Sequence, residues 1–329
     1  YENPIMQQDA IIISRAGGPE VLVPARCDIP QPAADEVVVK VAWAGVNRHD
    51  CGQRSRGPND HESDIPGLEV SGTVHAVGSL VRGIEVGTQV CALVNGGGYA
   101  EYVATHWQQV LPVPAGLTLQ QAACLPEAAF TTWYNFFSLA ALQVGESVLI
   151  HGATSGVGVF AVQLLSALGH PVYATSGSAE KCALALSLGA RRAFNYKTEP
   201  FAQLLQEAGT PVDVILDMSG GRHMEQNLAA LAYGGRILHL SSGAAPVSLS
   251  LRAVMQKEAR VTGAMMRPLP AAKKALVAQA LKKVVWPLVG DRIQTRVHQT
   301  YPLAQASQAH RDMEQGDHSG KLLLQVGGG

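Results

Sequence analysis

Three glycines fall within the stretch Gly152-Ala153-Thr154-Ser155-Gly156-Val157-Gly158, directly after the apolar run Val148-Leu149-Ile150. Glycine at a strand-to-helix turn lets the backbone come close to a ligand and aims its N–H groups at oxygen atoms. The helix that follows adds the positive end of its dipole. This is the chemistry of phosphate binding. The spacing is G-x-x-x-G-x-G rather than G-x-G-x-x-G, so the pattern alone also suits a tight turn that binds nothing. Its context, an apolar strand before and an amphipathic helix after, favours a dinucleotide held by Ser155, Gly156, Val157 and Gly158.

The choice of dinucleotide turns on the tip of the next strand. A site for NAD carries Asp or Glu about 20 residues past the glycines, to hold the ribose 2′-hydroxyl. That count from Gly156 reaches Ser176, and the tip reads Ser176-Gly177-Ser178, with Lys181 one helical turn on. A lysine in the first turn of a helix is locally unfavourable, because that end is already positive. A 2′-phosphate nearby removes the conflict, which points to NADPH. Glu180 pulls the other way. Ser178 has a second use as an N-cap, and Lys181 as a solvated surface lysine. Tyr196, ending the third strand, could reach the same phosphate or be an ordinary half-buried tyrosine.

These residues need a frame to hold them. From Glu146 to Gly263, strands alternate with helix-period segments: "SVLIHGA", "PVYATS", "RAFNY", "VDVILDM", "GRILHLS" and "ARVTGAM". Between the first two strands lies a helix over Val157–Leu168, with Phe160, Ala161, Leu164, Leu165 and Leu168 as its buried stripe and Gly169 then Pro171 ending it. Alternation of this kind predicts right-handed βαβ units and a doubly wound parallel sheet in the order 3-2-1-4-5-6. Residues 11–105 read differently, as short strands broken by Gly and Pro: "DAIIIS", "EVVVKVAWAGV", "VSGTVHAVG", "TQVCALV" and "YAEYVATH". They predict a compact β domain. Thr118 and Gln121 form a capping-box pattern, and Pro126 opens a helix running to Leu142. A last helix spans Ala271 to Leu288, and the tail "LLLQV" reads as a strand returning to the β domain.

A chain of 329 residues exceeds what one core usually serves, so two domains are expected. The 25 basic and 26 acidic residues nearly cancel and form no basic stripe, which disfavours nucleic acid and anionic membrane as partners. No apolar run is long enough to span a bilayer. The opening "YENPIMQQDAIIIS" lacks the basic and apolar regions of a secretory signal. Met6 is a candidate native initiator, which would make Tyr1–Ile5 an addition, and the closing glycines read as a tag scar. Five cysteines, none in a C-x-x-C pair, fit a reducing cytoplasm better than a disulfide framework or a thiolate zinc site.

At this point the chain resembles a known family. The motifs "AGVNRHD", "PGLEVSG", "GGGYAEYV", "LPEAAFTTWYNFF", "HGATSGVG", "FNYK" and "SGKLLL", in this order and spacing, are similar to those of the zeta-crystallin-like, zinc-independent quinone oxidoreductases of the medium-chain dehydrogenase/reductase superfamily. The resemblance implies an α/β protein with a GroES-like β-barrel catalytic domain over residues 1–125 and 268–329. A Rossmann domain over 126–267 is inserted in it, NADPH lies in the cleft between the two, and the molecule is an oligomer, most simply a homodimer. It also implies pyrophosphate contacts from Ser155, Gly156, Val157 and Gly158, and 2′-phosphate contacts from Gly177, Ser178, Lys181 and Tyr196. Asn47 and Thr131 would meet the nicotinamide side and serve catalysis. Ser241, Met265, Met266 and Arg267 would line the cofactor's other flank. The plainer alternatives are that Asn47 closes a turn and that Thr131 is an interior helix hydroxyl.

Two departures bear on the chemistry. Zinc-dependent relatives carry Gly-His-Glu where this chain has Gly67-Leu68-Glu69, and their four-cysteine lobe is missing after Cys91. His49 and Cys51 remain, but a tetrahedral zinc site needs further ligands that the sequence does not offer. Many family members also carry tyrosine shortly after the Asn47 position, where this chain has Gly52 and Pro58. Asp50 and Arg54 remain there, Asp50 as a turn cap and Arg54 as a surface ion pair in the plainer reading. The expected activity is hydride transfer from NADPH to a quinone. The alternatives are reduction of an enone or enoyl thioester, and a non-catalytic NADPH-binding protein.

Overall fold

The computed structural model describes residues 6–327; the readings of Tyr1–Ile5 and of the closing Gly328 and Gly329 lie outside them. Fifteen strands occur among the described residues. In chain order they are β1 Gln7–Ile13, β2 Leu22–Asp28, β3 Glu36–Val46, β4 Glu69–Val77, β5 Gln89–Leu93, β6 Tyr102–His106, β7 Val110–Pro112, β8 Val148–His151, β9 Val172–Ser176, β10 Arg192–Asn195, β11 Val212–Asp217, β12 Leu231–His239, β13 Arg260–Gly263, β14 Val297–Pro302 and β15 Lys321–Gln325. The chain divides into two compact units. One comprises Tyr1–Phe130, Leu269–Gly290 and Thr295–Gly329, the other Thr131–Pro268 and Asp291–Gln294.

The second unit is built on one six-stranded sheet in the order β10-β9-β8-β11-β12-β13, parallel throughout. This is the expected 3-2-1-4-5-6 winding. Strands covered on both faces must be apolar at consecutive positions, and all four residues of β8 are buried. Val148 and Ile150 enter a core with Ala161, Leu165, Val214 and Leu238. Leu149 points the other way, into a core with Phe194, Phe201, Ile215 and Ile237. Each such side chain contributes about 1.5–3 kcal/mol by leaving water. At the opposite end of the sheet from the glycine loop, Arg236 on β12 makes a two-pronged ion pair with Glu146, at 2.8 and 2.7 Å, and donates from Nε to the Ala140 carbonyl at 2.9 Å. The helix predicted over 126–142 runs as α-helix from Pro126 to Trp133 and then widens to a π-helix over Tyr134–Leu139.

The first unit is a seven-stranded sheet, β14-β15-β3-β4-β5-β7 with β6 also on β3, beside a two-stranded β1–β2 ribbon. All its pairs are antiparallel except β14 with β15. The long strand β3 is its spine: β4 pairs along one edge, and β6 and β15 share the other. The tail therefore does return to the β domain, as expected. The sequence reading missed β2, β7, β14 and the helices Arg48–Arg56 and Ala306–Gln315, whereas Met224–Ala230 and Leu251–Lys257 fill crossovers that the strand–helix alternation predicts. The missed strands and the helix Arg48–Arg56 are short or polar, while Ala306–Gln315 buries Ala306, Ala309, His310 and Met313 at helical spacing, a stripe of small and polar residues that does not read as a strong apolar face.

Candidate functional site

In the second unit the glycine loop leaves β8 and enters the helix Gly156–Ala167 with Ser155 as N-cap, whose Oγ accepts from Gly158 N at 3.0 Å. A Cβ on Gly158 would collide with the Gly152 carbonyl and the Ala153 backbone, so only glycine lets the helix start this close to the strand. The first-turn N–H groups have no partner in the helical ladder, and together with the dipole they suit an anion.

A buried polar network holds the strand ends that carry this loop. His151 sits between Thr175 Oγ1 at 2.7 Å and Asn227 Oδ1 at 2.6 Å, and Asn227 Nδ2 donates to Asp217 Oδ2 at 2.9 Å. The Asp217 carboxylate can only accept, so Asn227 presents its oxygen to His151 and the ring donates from Nε2. Burial pushes His151 down to about 4, so it is a neutral spacer here.

At the tip of β9, Ser176 is buried and its Oγ has no hydrogen-bond partner. Ser178 caps the helix Ala179–Ser187 by accepting from Lys181 N at 3.2 Å. The expected cap is therefore real, and it places Lys181 in the helix's first turn. A Cβ on Gly177 would come within 3.1 Å of the Tyr196 hydroxyl and 3.5 Å of Lys197 Cε. Gly177, Ser178, Tyr196 and Lys197 thus meet at one strand tip, with an unsatisfied hydroxyl beside them and no carboxylate. An orphaned donor and a space that a side chain would fill are what a phosphorylated ribose requires, so these residues fit a dinucleotide. Lys197 was overlooked, although "FNYK" displays it. Ser241 follows the end of β12, and Met265, Met266 and Arg267 follow β13; Met266 is buried, whereas Met265 is exposed. Thr131 is buried, and its carbonyl accepts from Asn135 Nδ2 at 2.8 Å.

In the first unit, Asn47 ends β3 and caps the helix Arg48–Arg56 in a reciprocal box with Asp50, whose Oδ2 accepts from Asn47 N at 2.8 Å. The side-chain amide is held at both ends. Nδ2 donates to Glu69 Oε1 at 3.0 Å, and Oδ1 accepts from Lys321 Nζ at 2.8 Å. Glu69 and Lys321 also form an ion pair, and Glu69 Oε2 accepts from Glu127 N at 2.9 Å. Burial works against the Lys321 ammonium, yet the adjacent Glu69 outweighs it and holds the lysine above its ordinary value. Asn47 therefore cannot flip, and one amide N–H remains to be aimed elsewhere. The motifs "GLEVSG" and "SGKLLL" already displayed Glu69 and Lys321, but nothing in the sequence says that they meet.

Arg54 requires a correction. It does not pair at the surface but is buried, donating to the Gly17 carbonyl at 3.1 Å, bonding His310 Nδ1 at 3.2 Å and pairing with Glu314. Asp50 does cap the turn. Zinc does not fit the residues present. Leu68 is a buried hydrocarbon, and burial pushes the Cys51 thiol up to about 12, far from a ligating thiolate. Among the described residues no three His, Cys, Asp or Glu side chains converge on a common point. A cavity of about 360 Å³ opens between Trp107, Gln108 and the helix Ala271–Ala280, and no candidate residue lines it.

Two known domain families match parts of the chain. The alcohol dehydrogenase GroES-like domain matches residues 33–115, and the domain described as zinc-binding dehydrogenase matches residues 156–283. The chain is similar to the quinone oxidoreductase of Mus musculus, with 32% identity over 330 residues, covering 96% of this chain and 97% of that protein. Among solved structures it resembles the Escherichia coli quinone oxidoreductase complexed with NADPH, with a TM-score of 0.84, 27% identity and coverage of 97% and 99%. It likewise resembles the quinone oxidoreductase from Thermus thermophilus, whose NADPH complex is known, with a TM-score of 0.82, 30% identity and coverage of 97% and 100%.

Proposed function

The chain belongs to the quinone oxidoreductase family of the medium-chain dehydrogenase/reductase superfamily, and from that premise we propose that it is a zinc-independent, NADPH-dependent quinone oxidoreductase. The observation that carries the cofactor reading is the β9 tip, where an orphaned Ser176 hydroxyl stands beside Ser178, Lys181 and Tyr196 in place of a carboxylate. In this reading residues 126–267 form the cofactor domain, and 1–125 with 268–329 form the catalytic domain.

When bound, NADPH supplies a hydride. The residues of the chain bind, orient and shield. The loop Ser155–Gly158 holds the pyrophosphate, and Gly177, Ser178, Lys181 and Tyr196 read the 2′-phosphate. Asn47 and Thr131 orient the nicotinamide, while Ser241, Met265, Met266 and Arg267 cover its far flank. Asn47 suits this task because Glu69 and Lys321 have already fixed its amide, so little ordering remains for the reaction to supply. A quinone delocalises the accepted charge into an aromatic ring, so no metal is needed to polarise it. Alcohol oxidation would need a metal or a strong base to take the hydroxyl proton first. The five free cysteines suit a reducing compartment, the cytoplasm. No helix among the described residues is long and apolar enough to cross a membrane. Two copies pair through β13, the last strand of the parallel sheet.

The test is a substrate panel with NADPH oxidation followed by absorbance. Ortho- and para-quinones should turn over in the presence of a chelator, while simple alcohols with NADP⁺ stay inert. Loss of quinone turnover with chelator, regained on adding zinc, would overturn the reading.

A further inference from the structure

The glycine loop leans on a methionine. Met218 follows β11 and is half-buried, packed against the core that holds Val148, Ile150 and Leu216. Its Sδ accepts a hydrogen bond from the Ser155 hydroxyl at 3.2 Å. Ser155 Oγ in turn accepts from Gly158 N at 3.0 Å, so the one proton of this N-cap is committed to the thioether. A Cβ on Gly152 would lie 3.2 Å from both Cγ and Sδ of Met218. The side chain therefore covers the first glycine of the loop and braces its cap at the same time.

Met218 is also held from its own side. Asp217 Oδ1 accepts from Ser219 N at 2.7 Å and from Ser219 Oγ at 2.6 Å, which closes a turn around Met218, and Asp217 Oδ2 accepts from Asn227. With both neighbours tied, the backbone has little freedom to draw the sulfur away from the loop. Met224, Met266 and Met313 are buried, whereas Met6, Met255 and Met265 are largely exposed. Among the described residues, Met218 is the methionine that combines partial exposure with a hydrogen bond to the loop. Oxidation of a thioether adds oxygen to a sulfur lone pair and makes an apolar side chain polar. On the lone pair facing Ser155, the 3.2 Å gap cannot hold that oxygen, because two hydrogen-bonded oxygens need about 2.7 Å between themselves alone. On the other lone pair, the sulfur left behind is a poorer acceptor for the Ser155 proton, and a side chain that packs on the core has become polar. Either way the cap at the start of the helix loosens.

We propose that Met218 is a modification site, and that its oxidation to the sulfoxide loosens the loop Ser155–Gly158 and lowers affinity for NADPH. This rests on the reductase reading above. The oxidant is hydrogen peroxide. A hydroquinone released by the reaction gives two electrons and two protons to molecular oxygen, forming quinone and hydrogen peroxide. The peroxide O–O bond then breaks, an S–O bond forms as the Met218 sulfur gives up two electrons, and water leaves. Where hydroquinone is re-oxidised in this way, NADPH is spent on making peroxide. A chain that loosens its hold on NADPH under those conditions limits the cycle, and a methionine sulfoxide reductase restores the thioether.

Treating the parent chain, Met218→Leu and Met265→Leu with graded hydrogen peroxide in the absence of cofactor tests this. The peroxide is removed and NADPH is titrated by nicotinamide fluorescence, each chain being read against its own untreated value. Peptide mass spectrometry reports which methionines carry an added oxygen, with the exposed Met255 as the standard for dose. We expect the dissociation constant to rise at least about ten-fold in the parent chain and in Met265→Leu, the scale of one lost hydrogen bond to a charged group. The rise should track oxidation of Met218 and be absent in Met218→Leu. A methionine sulfoxide reductase should reverse it and a thiol reductant should not, which separates it from oxidation of a cysteine. An equal rise in Met218→Leu, recovery with the thiol reductant, unchanged affinity with Met218 oxidised, or Met218 left intact once Met255 is fully converted would overturn the modification site and leave the cofactor reading intact. An untreated parent chain that binds no NADPH would overturn both.

Discussion

Lys321 Nζ lies 2.8 Å from Asn47 Oδ1, so the last strand of the chain sets the orientation of an amide at the end of β3. The lysine is buried, and Glu69 closes the triangle by accepting from Asn47 Nδ2 and pairing with Lys321. Replacing Lys321 with Met strands the Glu69 charge. Removing one partner of a buried pair typically costs about 3–5 kcal/mol, whereas replacing both with apolar groups is often neutral. Urea unfolding should therefore show Lys321→Met strongly destabilised and the double variant Glu69→Leu/Lys321→Met largely recovered. Turnover should remain low in both, because Asn47 has lost its guides.

Cofactor preference should follow the β9 tip. Losing a charge-assisted contact to phosphate costs about 1.5–3 kcal/mol, or roughly ten- to a hundred-fold in affinity. Lys181→Ala should weaken NADPH binding by that factor and leave NADH nearly unchanged. Lys197, close to Gly177 but exposed, should show a smaller effect of the same sign. Titration of each variant with both cofactors, followed by nicotinamide fluorescence, decides this; equal losses for NADPH and NADH would show that neither lysine reads the phosphate.

Stability should carry the signature of Asp50. Its folded-state value is raised to about 7 from an ordinary 3.8, so within that window the folded chain holds a proton that the unfolded chain releases. The contribution is thus present at low pH and lost as pH rises through the window. Asp50→Asn keeps an acceptor for Asn47 and Tyr99 but cannot ionise. Denaturation midpoints measured from about pH 4 to 8, the range that brackets this window, should fall with pH less steeply for the variant than for the parent chain. Parallel curves would remove Asp50 as the cause.

A dimer through β13 should be visible in solution. This strand ends the parallel sheet, and Val261 on it is part-exposed, with Leu251 and Met255 of the neighbouring helix 71% and 77% exposed. Unpaired edges beside apolar surface are usually covered, and a two-fold axis closes both at once. Light scattering at micromolar concentration should give twice the chain mass, and Val261→Glu should shift it toward the monomer. A monomeric parent chain would rule the pairing out.

The sequence by itself determined whatever depends on neighbours in the chain. The glycine loop, the Ser155 and Ser178 caps, the Thr118–Gln121 box and the missing carboxylate at Ser176 are all set within a few residues. The strand order of the parallel sheet was also legible, because crossover handedness leaves few alternatives once strands and helices alternate. Tertiary structure alone decided the polar interior of the other unit. Glu69, Lys321 and Asn47 come from three distant segments, as do Asp50, Tyr99 and His310. Arg54 looked like a surface residue because its burial depends on the helix Ala306–Gln315, whose partner cannot be read from its own sequence. A buried charge is tolerable only where others come to meet it, and that meeting is a property of the folded chain rather than of any segment in it.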